Sequence, residues 1–306
     1  KNAFLMLIAL FLAPDFSAKA QENQVQARIR ELEKLVPLEK ITVGPDDQFN
    51  GDILPGGRVL VFTEKSGLIS GIRLQDLTTG ETTALLPSNA DADEAVAGPD
   101  GRIAFTYFKF NARGDICYVR PPQPPFHGKT AKDNEVRCLM RAESSVQRSH
   151  PFWVSANVLG YVERDFDGRS ARIVSENLSS GERTVLAEGR VWSPFMRSGG
   201  RYLVYLDWAG EQARAGSGRS RRIVVKDLES GESQIARFAL PGFSAFPTVS
   251  PDEEYLYFSH FLNDTNEDQT IDGADNGVIF RLPLKKVFKA GELSKGVLPE
   301  QLTSVE

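Results

Sequence analysis

The chain of 306 residues has 2 cysteines, 3 histidines, 3 methionines and 3 tryptophans. Beyond residue 20 it holds no apolar run long enough to span a bilayer. The three histidines, His127, His150 and His260, are scattered, so no histidine-rich metal centre is written into the sequence. Neither an H-E-x-x-H zinc helix nor a G-x-S-x-G nucleophile elbow occurs, and Ser250 stands in an S-P-D turn, not in a nucleophile setting. These absences predict a protein that is not an enzyme by itself. Positive charge is not in excess either. A net charge of −5 and a pI near 5.5 argue against nucleic acid or an anionic membrane surface as the partner of the whole molecule. Helix-favouring runs are sparse, whereas Gly and Pro are frequent and evenly spread, which is an all-β balance.

What the chain has instead is a repeat. A Gly- or Asp-rich turn followed at once by an alternating apolar strand recurs as LPGGRVLVF (54–62), GPDGRIAF (98–105), RSGGRYLVY (197–205) and SPDEEYLYF (250–258), with SANVLGYV (155–162) as a weaker fifth copy. A second phrase follows in three copies: DLTTGE (76–81), NLSSGE (177–182) and DLESGE (227–232). The irregular period of about 43 to 56 residues suits a four-stranded propeller blade and is too long for leucine-rich or ankyrin repeats. The predicted fold is therefore all-β, a β-propeller with five recognisable blades at about 41–86, 94–140, 149–186, 190–238 and 243–303. Insertions fall at 120–134, 210–222 and 263–276, where hairpins can lengthen without disturbing inner strands. Five blades make a small ring, so the array is expected to belong to a ring of six or more, with the natural chain continuing beyond Glu306.

Ahead of the repeats, Lys1, the apolar run 3–13 and the small-x-small pattern Ala18-Lys19-Ala20 read as a signal peptide over residues 1–20, cleaved after Ala20. No transmembrane segment would then remain, and the mature protein is expected to be periplasmic or secreted. Over 21–38, Val25, Ile29, Leu32 and Leu35 recur at spacings of three and four, the pattern of an amphipathic helix that ends at Pro37. Such a helix docks on the propeller or on a partner. Cys117 and Cys138 lie in two strands joined by the Pro-rich segment 120–134, so either a disulfide or two reduced, buried thiols fit. Phe126 and His127 in that segment, and the arginines of 214–222, are two further candidate recognition surfaces.

The phrases SPDEEYLYF, GPDGRIAF and IVVKDLESGE resemble the TolB-type propeller repeat, and the resemblance covers the chain from Ile41 onward. Pro, Asp and Gly fill the tight turn, the alternation supplies one face to each neighbouring blade, and Thr-Gly or Ser-Gly turns the next hairpin. The resemblance implies a periplasmic protein that binds other proteins of the cell envelope across a propeller face. Similar repeats occur in the non-catalytic propellers of prolyl-oligopeptidase-type peptidases. A gating domain for a hydrolase is thus an alternative, as is a ligand- or glycan-binding sensor that uses the central channel.

One segment has metal-ligand spacing. With Asp264 as position 1, Asn266, Asp268, Asp272 and Asp275 place side-chain oxygens at 3, 5, 9 and 12, and the Thr270 carbonyl falls at 7. It resembles the EF-hand and dockerin calcium loop, and hard oxygen donors suit Ca²⁺. Gln269 occupies the position where that loop turns on Gly, and an acidic, solvated hairpin is the competing reading.

Overall fold

The computed structural model describes residues 41–42, 46–87, 90–139, 146–165, 170–208, 221–236, 242–262, 264–265, 271, 277–288 and 298–303. They form five antiparallel sheets of four strands, each built from strands consecutive in the chain. Blade 1 holds β1 (Asp47–Ile53), β2 (Val59–Ser66), β3 (Ile69–Asp76) and β4 (Thr82–Ala84). Blade 2 holds β5 (Ala92–Ala97), β6 (Ile103–Tyr107), β7 (Asp115–Val119) and β8 (Arg137–Cys138). In blade 3 these are β9 (Val146–Ser155), β10 (Val158–Asp165), β11 (Ala171–Asn177) and β12 (Arg183–Gly189). Blade 4 comprises β13 (Val191–Met196), β14 (Tyr202–Trp208), β15 (Arg221–Asp227) and β16 (Ser233–Ala236). Blade 5 comprises β17 (Phe243–Val249), β18 (Tyr255–Phe261), β19 (Val278–Pro283) and β20 (Glu300–Gln301), with a one-turn helix α1 (Leu284–Phe288) after β19. The propeller expected from the repeat is the fold observed, and all five blades lie close to their predicted spans.

The repeated phrases explain each other once the strands are paired. The Asp of the second phrase turns its own hairpin, since Asp76 Oδ1 accepts from Thr78 N–H at 3.0 Å and Asp227 Oδ1 from Glu229 N–H at 3.0 Å. The Arg of the first phrase reaches the same carboxylate: Arg58 binds Asp76 through Nε at 3.0 Å and Nη2 at 2.7 Å, and Arg201 pairs with Asp227. Blade 3 runs a neutral version, in which Asn157 Nδ2 donates to Asn177 Oδ1 at 3.1 Å and Asn177 Oδ1 accepts from Ser179 N–H at 2.9 Å. The guanidinium holds Asp76 well below the usual carboxylate range and pulls Asp227 down to about 2.

Alternation gives every blade two apolar faces. Val61 and Leu74 of blade 1 share a core with Ile103 and Phe105 of blade 2, and Val204 and Val225 of blade 4 share one with Leu256 and Phe258 of blade 5. Blades 2 and 3 are also tied by charge. Arg148, fully buried, reaches Glu163 at 3.2 Å within its blade and Asp115 of blade 2 at 3.6 Å, while Arg172 and Arg183 bind the same Glu163. At Gly160 a Cβ would fall 2.1 Å from the Phe152 ring, so only glycine lets β9 and β10 approach this closely.

The Pro-rich insertion of blade 2 is structural. Phe126 is fully buried in the core shared with blade 1, its N–H and that of His127 donate to the Glu81 carboxylate at 3.1 and 2.7 Å, and Ala131 N–H donates to Leu85 O at 2.8 Å. The insertion thereby covers blade 1 beside its outermost strand. Cys117 and Cys138 face each other across β7 and β8 and form a disulfide, which closes the base of the insertion. Among the described residues no helix is long and apolar enough to cross a membrane. The signal-peptide and amphipathic-helix expectations for residues 1–38 lie outside the described residues, as does most of the basic insertion.

Candidate functional site: the axial ring

The first strands pack one on the next, β1 on β5, β5 on β9, β9 on β13 and β13 on β17, so the five line a common axis. Each of these strands breaks register against its neighbour at an equivalent point, between Phe49 and Asp52, Asp93 and Val96, Ser149 and Phe152, Trp192 and Phe195, and Ala245 and Thr248. At each break one non-glycine residue is left-handed: Asn50 (φ 52°), Glu94 (58°), His150 (53°), Ser193 (48°) and Phe246 (51°). A bulge in this conformation re-aims its side chain, and for residues with a Cβ it is strained. Recurrence in every blade makes it a feature of the repeat. The side chain presented differs each time.

The bulge residues meet across blade boundaries. Asn50 Nδ2 lies 3.5 Å from Asp93 Oδ1. Glu94 Oε2 accepts from the His150 backbone N–H at 2.6 Å and from Thr106 Oγ1 at 2.7 Å, so the carboxylate of one bulge satisfies the N–H that the next bulge frees. The other oxygen, Oε1, is 3.0 Å from His150 Nδ1, which is also 3.0 Å from Ser149 Oγ. The His150 ring stands edge-on to Trp192 with centroids 4.2 Å apart, and the Arg164 guanidinium lies 3.9 Å from the Trp192 ring centroid.

Burial governs the electrostatics of this cluster. It pushes the His150 imidazole below its usual range against the pull of Glu94 and Asp93, so the ring is neutral at physiological pH. Burial and then the neighbouring Glu94 raise Asp93, and burial lowers Arg164. Phe246, at the fifth position, is 58% exposed. The ring therefore combines a carboxylate, a neutral imidazole, an amide, a hydroxyl and an open aromatic face.

In the sequence His150 is one of three scattered histidines, and the spacing of the turn phrases does not single it out. A signal was present: His150, Ser193 and Phe246 each precede a proline a few residues ahead of the repeated turn. His260 is a core residue, 2% exposed, with Nδ1 2.8 Å from Ser244 Oγ and its ring edge-on to Phe258 and Phe280. Sealed in blade 5, that Ser-His pair cannot meet a substrate. His127 sits in the insertion on blade 1 with its backbone held by Glu81. Of the calcium-loop residues only Asp264 is among those described; Asn266, Asp268, Thr270, Asp272 and Asp275 lie outside them. Among the described residues no group of three or more His, Cys, Asp or Glu side chains is arranged to hold a metal.

Five four-stranded blades about an axis, with the repeated bulges on the inner strands, define a β-propeller repeat protein. Its architecture is that of the TolB propellers. A putative TolB from Agrobacterium tumefaciens matches with a TM-score of 0.62 at 15% identity, over 90% of this chain and 86% of that one. TolB from Acinetobacter baumannii matches at 0.55 and 14% identity over 79% of this chain, which spans 53% of its length. An oligogalacturonate lyase in complex with manganese matches at 0.51 and 12% identity, over 85% of this chain and 66% of the lyase. At these identities the likeness is one of fold. No protein-family model matches the sequence, and no curated protein does either.

Proposed function

We propose that the protein is an exported, non-catalytic TolB-like propeller that binds protein partners in the cell envelope through its axial ring. The observation that carries this reading is the set of left-handed, non-glycine bulges at Asn50, Glu94, His150, Ser193 and Phe246. Conformational strain of about 1–3 kcal/mol at each such position is retained where the displayed side chain has a use. The repeat frame and the Cys117–Cys138 disulfide support an oxidising compartment. N-terminal sequencing of the mature protein starting at Gln21 tests export; recovery of uncleaved cytoplasmic material defeats it.

The binding reading is tested by capture from an envelope extract with the immobilised protein. Phe246→Ala and Asn50→Ala should lose the captured partner, whereas Leu68→Ala, at a hairpin tip that is 97% exposed, should not. Capture unaffected by the ring variants would move the binding surface elsewhere. A second reading, a small-ligand or glycan sensor, is favoured by the contact of His150 with both Trp192 and Glu94. It predicts that an oligosaccharide, and not a protein, protects the ring from chemical labelling. The oxygen pattern of 264–275 supports a structural Ca²⁺ site in the blade 5 insertion. Titration calorimetry with Ca²⁺ after chelation tests it, and Asp264→Ala should abolish the heat.

A further inference from the structure

The two ends of the blades differ. Turns that join first to second and third to fourth strands lie at one end and carry the repeated polar phrases, whereas the tips that join second to third strands lie at the other. At that second end blades 1 and 2 expose large apolar side chains. Gly67 (φ 63°) and Leu68 make a two-residue turn between the paired Ser66 and Ile69, and Leu68 and Ile69 are 97% and 53% exposed. In the connection from β6 to β7, Phe110 is 57% exposed, with its ring edge-on to Tyr107.

The two tips are neighbours on a fixed backbone. Asp91, just ahead of β5, accepts through Oδ1 from Ser70 N–H at 3.3 Å and through its carbonyl from Phe108 N–H at 3.1 Å, so one residue ties β3 of blade 1 to the tip of blade 2. Inside the blade 2 tip, Gly114 N–H donates to Asn111 O at 2.8 Å and Arg113 N–H to Asn111 Oδ1 at 3.0 Å. Asn111 Nδ2 reaches Gly114 O at 3.2 Å and Val146 O of blade 3 at 3.4 Å. These contacts engage backbone groups that would otherwise carry water into an apolar medium, and they leave binding little to order. Lys65 and Lys109 are exposed beside the apolar residues, with Lys109 Nζ 5.7 Å from the Phe110 ring centroid. Of the acidic side chains nearby, Asp91 holds Ser70, Glu64 pairs with Arg73 at 3.1 Å, and Asp47 stands opposite Lys65 in the register of β1 and β2.

A leucine at the very end of a hairpin is buried better by a soft medium that closes round it than by a flat protein surface. Lysines beside it reach the headgroup level while their stems stay in the apolar layer. We propose that the tips of blades 1 and 2 form a shallow membrane-contact site, in which Leu68, Ile69 and Phe110 enter the boundary between headgroups and acyl chains and Lys65 and Lys109 meet anionic headgroups. The net charge of −5 does not oppose this, because apolar insertion supplies the contact and distant charges are screened. The site is separate from the axial ring and does not depend on partner binding there.

Flotation of the full chain with vesicles of mixed phosphatidylethanolamine and phosphatidylglycerol tests it. The unmodified chain should float with the vesicles. Leu68→Ser and Phe110→Ser should each weaken partition at least about tenfold, the effect of returning one large apolar side chain to water. Leu298→Ser, at a residue 64% exposed beside β20 at the opposite end, should leave partition unchanged. The substituted positions are all exposed, so folding is not at stake. In Leu68→Trp, the new indole should be quenched by vesicles with brominated acyl chains. Failure of the unmodified chain to float overturns the proposal, as does flotation that the tip variants leave unchanged or an indole at position 68 that brominated lipid does not quench. Loss of protein capture in Leu68→Ser, without flotation of the unmodified chain, assigns the tips to a protein pocket and overturns it as well.

Discussion

The hairpin frame of the blades and the ring at their axis are built by the same repeat to opposite ends. In the frame the chemistry recurs: Arg58 with Asp76, Arg201 with Asp227 and the neutral pair Asn157 with Asn177 occupy equivalent places and do the same work. On the axis the backbone recurs while the side chain changes, through Asn50, Glu94, His150, Ser193 and Phe246. A repeat that varies at one strained position while its hairpin pair recurs in three blades would, on the proposed function, hold stability and recognition apart. Variants in the frame should therefore cost stability alone, and variants in the ring should change binding with little loss of stability.

The largest effects belong to the frame. Phe126→Ala should lower unfolding free energy by about 3–5 kcal/mol in denaturant titrations, because it empties the core between the insertion and blade 1. Capture of the partner by the protein that remains folded should be unchanged, and a loss of capture at full folding would blur the distinction between the two regions. Removing the disulfide with Cys117→Ala and Cys138→Ala should cost about 2–4 kcal/mol. Unfolding followed with and without reductant should show that difference in the unmodified protein and none in the variant.

The ring should behave with the opposite sign. Phe246→Gly relieves a left-handed phenylalanine that buries little, so stability should rise by about 1 kcal/mol while capture is lost. A fall in stability of that size would show that the bulge is held by packing and is not stored strain.

Acid sharpens the comparison with the smallest effects. His150 is depressed in the folded state, so its contribution is complete above the unfolded value of about 6.5 and is lost as pH falls below it. Asp76 and Asp227 are also depressed, and their contribution is lost at lower pH, from about 4 downward through the folded value of about 2 for Asp227. The melting temperature should therefore decline in two steps. His150→Gln should remove the first. Asp227→Asn should soften the second while keeping the hairpin, as Asn177 does in blade 3.

Turn phrases and alternation made the blades legible, because a propeller strand needs a Gly, Pro or Asp turn at its start and one apolar face for each neighbour. The ring was harder to read. Its signal, at three of the five positions, is a residue before proline inside a short strand, and a one-residue bulge hides it from period-two reading, so His150 stands in the sequence only as one of three scattered histidines. The insertion misled for a related reason. A Pro-rich loop with an aromatic looks like a recognition surface until the fold brings Leu85 and Glu81 beneath it, as here beneath Phe126.

Local chemistry, then, determined the repeat, the class of fold, the span of every blade and the choice of residues able to turn each hairpin, since all of these depend on neighbours within a few positions. Tertiary structure alone decided that Cys117 faces Cys138, that Phe126 is buried, and that Glu94 of one blade caps the backbone of His150 in the next. Those pairings join residues from 21 to 56 positions apart, and strand register and blade packing, not sequence spacing, set which atoms come within reach.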